Sequence, residues 1–174
     1  DAESRYLELI DRNRGRIERL CRAWSRTPAD AEDLRAEVFL QLWRALPGFG
    51  GRASEDTWVY RVALNTAMLH GRGRDRRRRA HDALEAEPGE APKPSPTPQE
   101  ELEQRERRER LLSALRRLKP FDRALMTMQL EELPQREIAQ VAGISENLVA
   151  VRLHRVRNLL RRLVAGGEVD HAGA

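Results

Sequence analysis

Apolar residues recur along this chain at intervals of three and four, the spacing that gathers them on one side of a helix. Tyr6, Leu9, Ile10, Ile17, Leu20, Cys21 and Trp24 set the first such run. Thr27-Pro28 closes that helix, and Asp30 is the expected N-cap of the next. There Leu34, Val38, Leu42 and Leu46 form one stripe, flanked by Phe39 and Trp43, until Pro47-Gly48 stops it. A polar loop over 49–56 leads to a third helix carrying Trp58, Val59, Val62, Ala63, Thr66 and Leu69. That helix runs into 71–79, where six arginines accompany one aspartate.

The pattern resumes near residue 101. A charged helix over 101–118 sets Leu111, Leu112, Leu115 and Leu118 on one face, and Lys119-Pro120 breaks it. Short helices are expected over 121–130 and 134–141, then a turn at Gly143, a cap at Ser145 and a last helix over 146–164. No segment alternates with period two, so the expected fold class is all-α, two small helical domains joined by a flexible linker.

The linker is set by composition. Residues 82–103 hold five prolines and seven acids against Lys93 alone. Too little of this stretch is apolar to offset the entropy of ordering, so 85–99 is expected to be disordered or extended. Roughly 15 residues at about 3.1 Å each would span on the order of 45 Å. The expected boundaries are a first domain over 1–80, the linker over 81–100, a second domain over 101–165 and a frayed Gly/Ala-rich tail over 166–174.

Charge then narrows the function. Lys93 and Lys119 are the only lysines among 32 basic residues. Arginine suits bidentate contact with phosphate and guanine, but a GC-rich genome produces the same bias, so placement carries more than number. Cys21 is the single cysteine, on the apolar face of the first helix, where it reads as a small buried hydrophobe. His70, His81, His154 and His171 lack metal-ligand spacing, and neither a Gly-rich phosphate loop after a strand nor a nucleophile–base pair is present. No metal, cofactor or enzymatic activity is therefore expected. With no signal peptide and no apolar run long enough to span a bilayer, the expectation is a soluble cytoplasmic protein without membrane insertion. It opens on Asp1, so a few preceding residues are expected to have been trimmed.

A short helix, a glycine turn and a capped basic helix over 134–164 make a helix-turn-helix. On its last helix Val149, Leu153, Val156 and Leu160 fall on the core stripe, leaving Asn147, Leu148, Ala150, Val151, His154 and Arg155 toward solvent. Arg152, Arg155, Arg157, Arg161 and Arg162 follow with no acid after Glu146, which favours a phosphate backbone and a salt-dependent affinity. The apolar Leu148, Ala150 and Val151 are suited to thymine methyl groups, leaving directional contacts to Asn147, Arg152 and Arg155. A stand-alone transcriptional regulator with this motif would dimerise on a palindromic site.

The first domain points elsewhere. The run Asp30-Ala31-Glu32-Asp33-Leu34-Arg35-Ala36-Glu37-Val38-Phe39-Leu40-Gln41-Leu42-Trp43 resembles region 2 of bacterial sigma-70 factors, as does Thr57-Trp58-Val59-Tyr60-Arg61-Val62-Ala63-Leu64-Asn65-Thr66-Ala67. With 115–163 resembling region 4, the chain resembles an extracytoplasmic-function (group IV) sigma factor. The resemblance implies partners: core RNA polymerase (its β′ clamp helices and β flap), promoter DNA and an anti-sigma factor. It implies polymerase docking through Asp33, Glu37 and Gln41, spaced i, i+4, i+8 on one helix face, although Ala36 stands where the family commonly has Gln. It assigns the minus-ten element to Asn65, whose amide both donates and accepts, with Arg61, Arg72, Arg74 and Arg76 on phosphates. The minus-thirty-five element goes to Asn147, Leu148, Val151, Arg152, His154 and Arg155. Trp58 and Tyr60 are placed to support a base pocket, a core role being the stronger reading for Trp58. Glu55 and Asp56 would repel single-stranded DNA and are expected instead to cap the helix at Thr57. The acidic linker, in a family where it runs through the polymerase interior, is suited to mimic nucleic acid.

Overall fold

The computed structural model describes residues 2–51, 53–81 and 99–165, with backbone alone over 72–81 and 99–101. The chain divides into two compact units, residues 1–90 and 91–174, and no strand occurs among the described residues. The first unit holds α1 (Ala2–Trp24), α2 (Pro28–Ala45), a short 3-10 turn (Leu46–Gly48) and α3 (Glu55–His81). The second holds α4 (Gln99–Arg117), α5 (Pro120–Leu130), α6 (Gln135–Ala142) and α7 (Glu146–Val164).

Each of α1, α2 and α3 packs against the other two. Leu9, Ile17 and Leu20 of α1, Leu34, Val38 and Leu42 of α2, and Val59, Tyr60, Ala63, Leu64 and Ala67 of α3 are buried between them. Ala63 and Ala67 repeat every fourth residue on α3, where small side chains let neighbouring backbones approach. The cap of α2 differs from expectation. Pro28 occupies the first helical position, where its missing N–H costs nothing, so Thr27 is the cap and accepts from the Asp30 N–H at 3.1 Å. Asp30, already helical, accepts from the Arg26 N–H at 2.9 Å and faces His70 Nε2 at 3.2 Å, pinning the start of α2 to α3.

Gly71 and Gly73 do not end α3, which continues to His81. Each glycine costs about 1 kcal/mol in a helix, and the packed turns before them set the helix direction. With α4 starting at Gln99, both ends of the expected 81–100 linker are helical. Its centre, 82–98, and the tail, 166–174, lie outside the described residues.

In the second unit α7 packs on α4, α5 and α6. Val149, Leu153, Val156 and Leu160 are buried as their spacing predicts, together with Leu163. Leu115 of α4, Leu125 and Met128 of α5, Leu133 in the turn before α6 and Ile138 of α6 are buried as well. Arg123 turns back to donate to the carbonyls of Arg116 and Leu118, satisfying the open end of α4. The α6–α7 turn rests on Gly143, whose φ of 69° lies in the left-handed region. From there the N–H groups of Gly143 and Ile144 both reach the Ala139 carbonyl, at 2.9 and 3.2 Å. Ser145 then caps α7 by accepting from the Leu148 N–H at 3.3 Å.

Gly143→Ala places a Cβ on a left-handed residue and should destabilise the second unit by about 1 kcal/mol. Urea denaturation followed at a probe in each unit should show the loss there and leave the first unit's transition unchanged.

Candidate nucleic-acid interface

One side of α3 is built into the three-helix core and the other is open. On the open side Arg61 and Asn65 stand exposed one turn apart, and Leu69, 66% exposed, continues the row. The backbone of Arg72, Arg74 and Arg76 extends the same helix, while their side chains lie outside the described residues. Before α3, the loop brings Phe49 against Trp58, ring centroids 5.0 Å apart, with the Arg5 guanidinium 5.5 Å over Phe49. Trp58 is thus half-buried at the edge of the loop rather than in the core, and Tyr60 is the aromatic that is fully buried.

The start of α3 corrects a second expectation. Glu55 and Asp56 do not cap it; Ser54 does, accepting from the Thr57 N–H at 3.2 Å. The two acids turn to α1. Arg5 forks onto Glu55 Oε1 with Nη2 at 2.8 Å and Nε at 3.2 Å. Arg12 bridges both acids, Nη2 to Glu55 Oε2 at 2.9 Å and Nε to Asp56 Oδ1 at 2.8 Å. Asn13, 2% exposed, donates to the same Asp56 oxygen and to the Leu9 carbonyl, both at 3.0 Å. The Arg12 hydrogen bond, then that of Arg5, holds Glu55 below the usual carboxylate range. Burial pushes Asp56 up, but Asn13 and Arg12 more than reverse it, leaving this carboxyl low as well. Hydrogen bonds to Glu55 and Asp56 in turn raise the Arg12 guanidinium.

On α2, Asp33 is exposed and Glu37 and Gln41 are half-buried, Gln41 Nε2 donating to Glu37 Oε1 at 2.7 Å. Leu40 and Trp43, 41% and 46% exposed, add apolar surface that the sequence reading left out. The signal was present: position 40 falls between the buried Val38 and Leu42 and so points away from the stripe. Trp43 is held at its post by Tyr6, edge to face at 5.1 Å, whose hydroxyl donates to the Phe39 carbonyl at 2.9 Å.

On α7, Asn147, Leu148, Ala150, Val151, His154 and Arg155 are all exposed, on the side away from the buried stripe. Leu148 and Val151 are each 41% exposed. Arg152 stands apart: it is half-buried, paired with Asp122 at 3.2 Å and lying 5.0 Å over the Phe121 ring. His154 Nε2 lies 3.2 Å from Asn158 Nδ2, and Arg161 donates to Asn158 Oδ1 at 2.9 Å. Among the described residues no cluster of acids, histidines and cysteines could hold a metal ion, and no helix is long and apolar enough to cross a membrane. Cys21 is buried, and its thiol is pushed up to about 12 by that burial.

Comparison with known proteins gives this arrangement a lineage. Sigma-70 region 2 matches residues 9–79 and Sigma-70, region 4 matches residues 108–160. The ECF RNA polymerase sigma-E factor of Escherichia coli (strain K12) is 31% identical over 137 residues, covering 75% of this chain and 72% of that protein. The chain belongs to the sigma-70 family, in its extracytoplasmic-function (ECF) group. Two further ECF factors match over less of their own length. SigG of Mycobacterium tuberculosis is 30% identical over 152 residues, which cover 76% of this chain but 41% of that protein. SigE of Mycolicibacterium smegmatis is 30% identical over 91% of this chain and 61% of its own. Among solved structures, CnrH in complex with the cytosolic domain of CnrY shares the fold with a TM-score of 0.65 at 20% identity, covering 95% of this chain and 91% of that one. The sigma factor RpoE from Bartonella quintana, solved with the anti-sigma factor NepR, has a TM-score of 0.67 at 18% identity, covering 94% of this chain and 96% of that one.

For this ECF chain the low carboxyls of Glu55 and Asp56 set a pH dependence. Groups lowered on folding contribute stability above their unfolded values, near pH 4, and lose it as pH falls through the folded ones. Thermal melts of the first unit should therefore drop steeply below about pH 4, and the Glu55→Gln/Asp56→Asn double variant should show a shallower drop.

Proposed function

We propose that this protein is a non-enzymatic initiation factor that binds core RNA polymerase in the cytoplasm and directs transcription from specific promoters. The observation that carries the reading is the pair of family regions, in order, each presenting an exposed face where its task would need one. The first unit, taken as 1–80, docks on the β′ clamp helices through Asp33, Glu37 and Gln41. Leu40 supplies apolar area beside those polar groups. The same unit opens the minus-ten element. Asn65 holds an unstacked base by its edge, as a protein that melts DNA without ATP must, and Arg61, Arg72, Arg74 and Arg76 lie along the strand's phosphates.

The second unit, taken as 101–165, engages the β flap and lays α7 in the major groove of the minus-thirty-five element. Leu148 and Val151 meet thymine methyl groups, Asn147, His154 and Arg155 make the directional contacts, and Arg152 joins them only by leaving Asp122. The acidic stretch 81–100 tethers the two units, which raises the effective concentration of the second once the first is bound. An anti-sigma factor, the kind of protein seen with the Bartonella quintana factor, would act by covering the polymerase-binding faces.

The decisive test is transcription in vitro with core polymerase on a genomic library. Start sites sharing two spaced elements are the expected result. A protein that binds DNA alone as a dimer and leaves core polymerase unprogrammed would be a stand-alone helix-turn-helix regulator instead. On a promoter so recovered, Asn65→Ala should cut open-complex formation by about tenfold, the scale of losing one good base contact, with core binding unchanged in a pull-down. Replacing thymine by deoxyuracil in the minus-thirty-five element removes only the methyl and should weaken holoenzyme binding about threefold per site. Leu148→Ala/Val151→Ala should make the two bases equivalent.

A further inference from the structure

The placement of Glu55 and Asp56 poses a physical problem on which the proposed function turns. They occupy the first turn of α3, directly after the 49–54 loop. Arg61 stands on the same helix five residues beyond Asp56, which is about 7.5 Å along the axis. Around the axis it lies about 140° from Asp56 and about 120° from Glu55, and both acids face α1. A strand of DNA entering from the loop on its way to Arg61 and Asn65 would pass the field of two carboxylates held in the charged state beside the loop's end.

The structure answers the charge with charge. Arg12 spans both acids with one guanidinium, and Arg5 takes the remaining Glu55 oxygen. Two acids are thereby paired with two arginines, Arg16 adds a further positive charge near Asp56, and Asn13 fills another bonding position on that carboxylate. Arg5 also lies over Phe49, so the side chain that neutralises Glu55 covers the loop aromatic beside Trp58.

Resting on the minus-ten reading above, we propose that Arg12, assisted by Arg5, is a masking residue: it cancels the charge of Glu55 and Asp56 so that the first turn of α3 can lie against single-stranded DNA. The acids keep their place at the positive end of α3 without presenting a net negative field to the phosphates. Arg12 acts through the two carboxylates and does not itself touch DNA.

The test is a variant cycle in reconstituted holoenzyme. The probe is a fluorescent single-stranded non-template oligonucleotide spanning the minus-ten segment of a recovered promoter, read alongside open-complex formation on the duplex. Arg12→Ala uncovers the acids and should lower oligonucleotide affinity roughly fivefold, the effect of about 1 kcal/mol. Arg12→Lys keeps the charge and should stay within about twofold of wild type. Adding Glu55→Gln/Asp56→Asn to Arg12→Ala should restore binding, although that triple variant has lost the ion pairs that Arg5 and Arg12 make to α3. Affinity that stays low in the triple variant would overturn masking in favour of a packing role or a direct phosphate contact, and an unaffected Arg12→Ala would overturn it as well. A wild-type holoenzyme that neither binds the oligonucleotide nor opens the duplex would instead sink the minus-ten reading itself.

Discussion

Burial of one side of α3 between α1 and α2 is the constraint on which the first unit depends. Ala63 and Ala67 are buried on that side together with Val59, Tyr60 and Leu64. Because that side is fixed, the rotation of the helix is fixed, and with it the outward direction of Arg61 and Asn65. A one-residue shift in the helical register would turn both by about 100° and bring buried alanines to the surface. The same packing holds the first turn of α3 against α1, where the arginines meet the acids. Core and candidate interface are two sides of one cylinder.

The second unit solves a similar problem with a different device. Its recognition helix is long enough to pack on three partners and still project a full face. The direction of that face is set by two backbone features at its start, the left-handed Gly143 and the Ser145 cap. Arg152 shows how far packing reaches into the exposed surface. One residue beyond Val151 along the helix, its guanidinium swings onto Asp122 and Phe121 of α5 instead of joining the exposed face.

Most of the fold was legible in the sequence because helical periodicity is a local signal. The stripes Leu34–Val38–Leu42 and Val149–Leu153–Val156–Leu160 identified the buried faces, and the Gly143–Ser145 pair identified the turn. What escaped were matters decided by neighbours distant in sequence. Asp30 has the side chain of a cap, but Pro28 at the first helical position moves the helix start back to Thr27. The partners of Glu55 and Asp56 lie some fifty and forty-four residues upstream, at Arg5 and Arg12, and no spacing rule joins them. Arg152 and Arg155 looked equivalent on α7, since only the fold reveals which of them has an acid on the adjoining helix. For the candidate sites, the sequence pattern identified which faces are open, and side-chain packing decides which groups on them are already engaged.

Cys21 carries a practical consequence of a different kind. Its thiol is enclosed by the first unit's core and strongly disfavours the thiolate, so maleimides and oxidants in neutral solution should find little to react with in the folded chain. A cysteine engineered at the surface, in place of the exposed Leu7 or Leu130, would then be the only one to take a spin label or a dye. The native thiol need not be removed first. The chain is in effect already a labelling scaffold, and distances between its two units could be followed by spectroscopy in the assembled transcription complex.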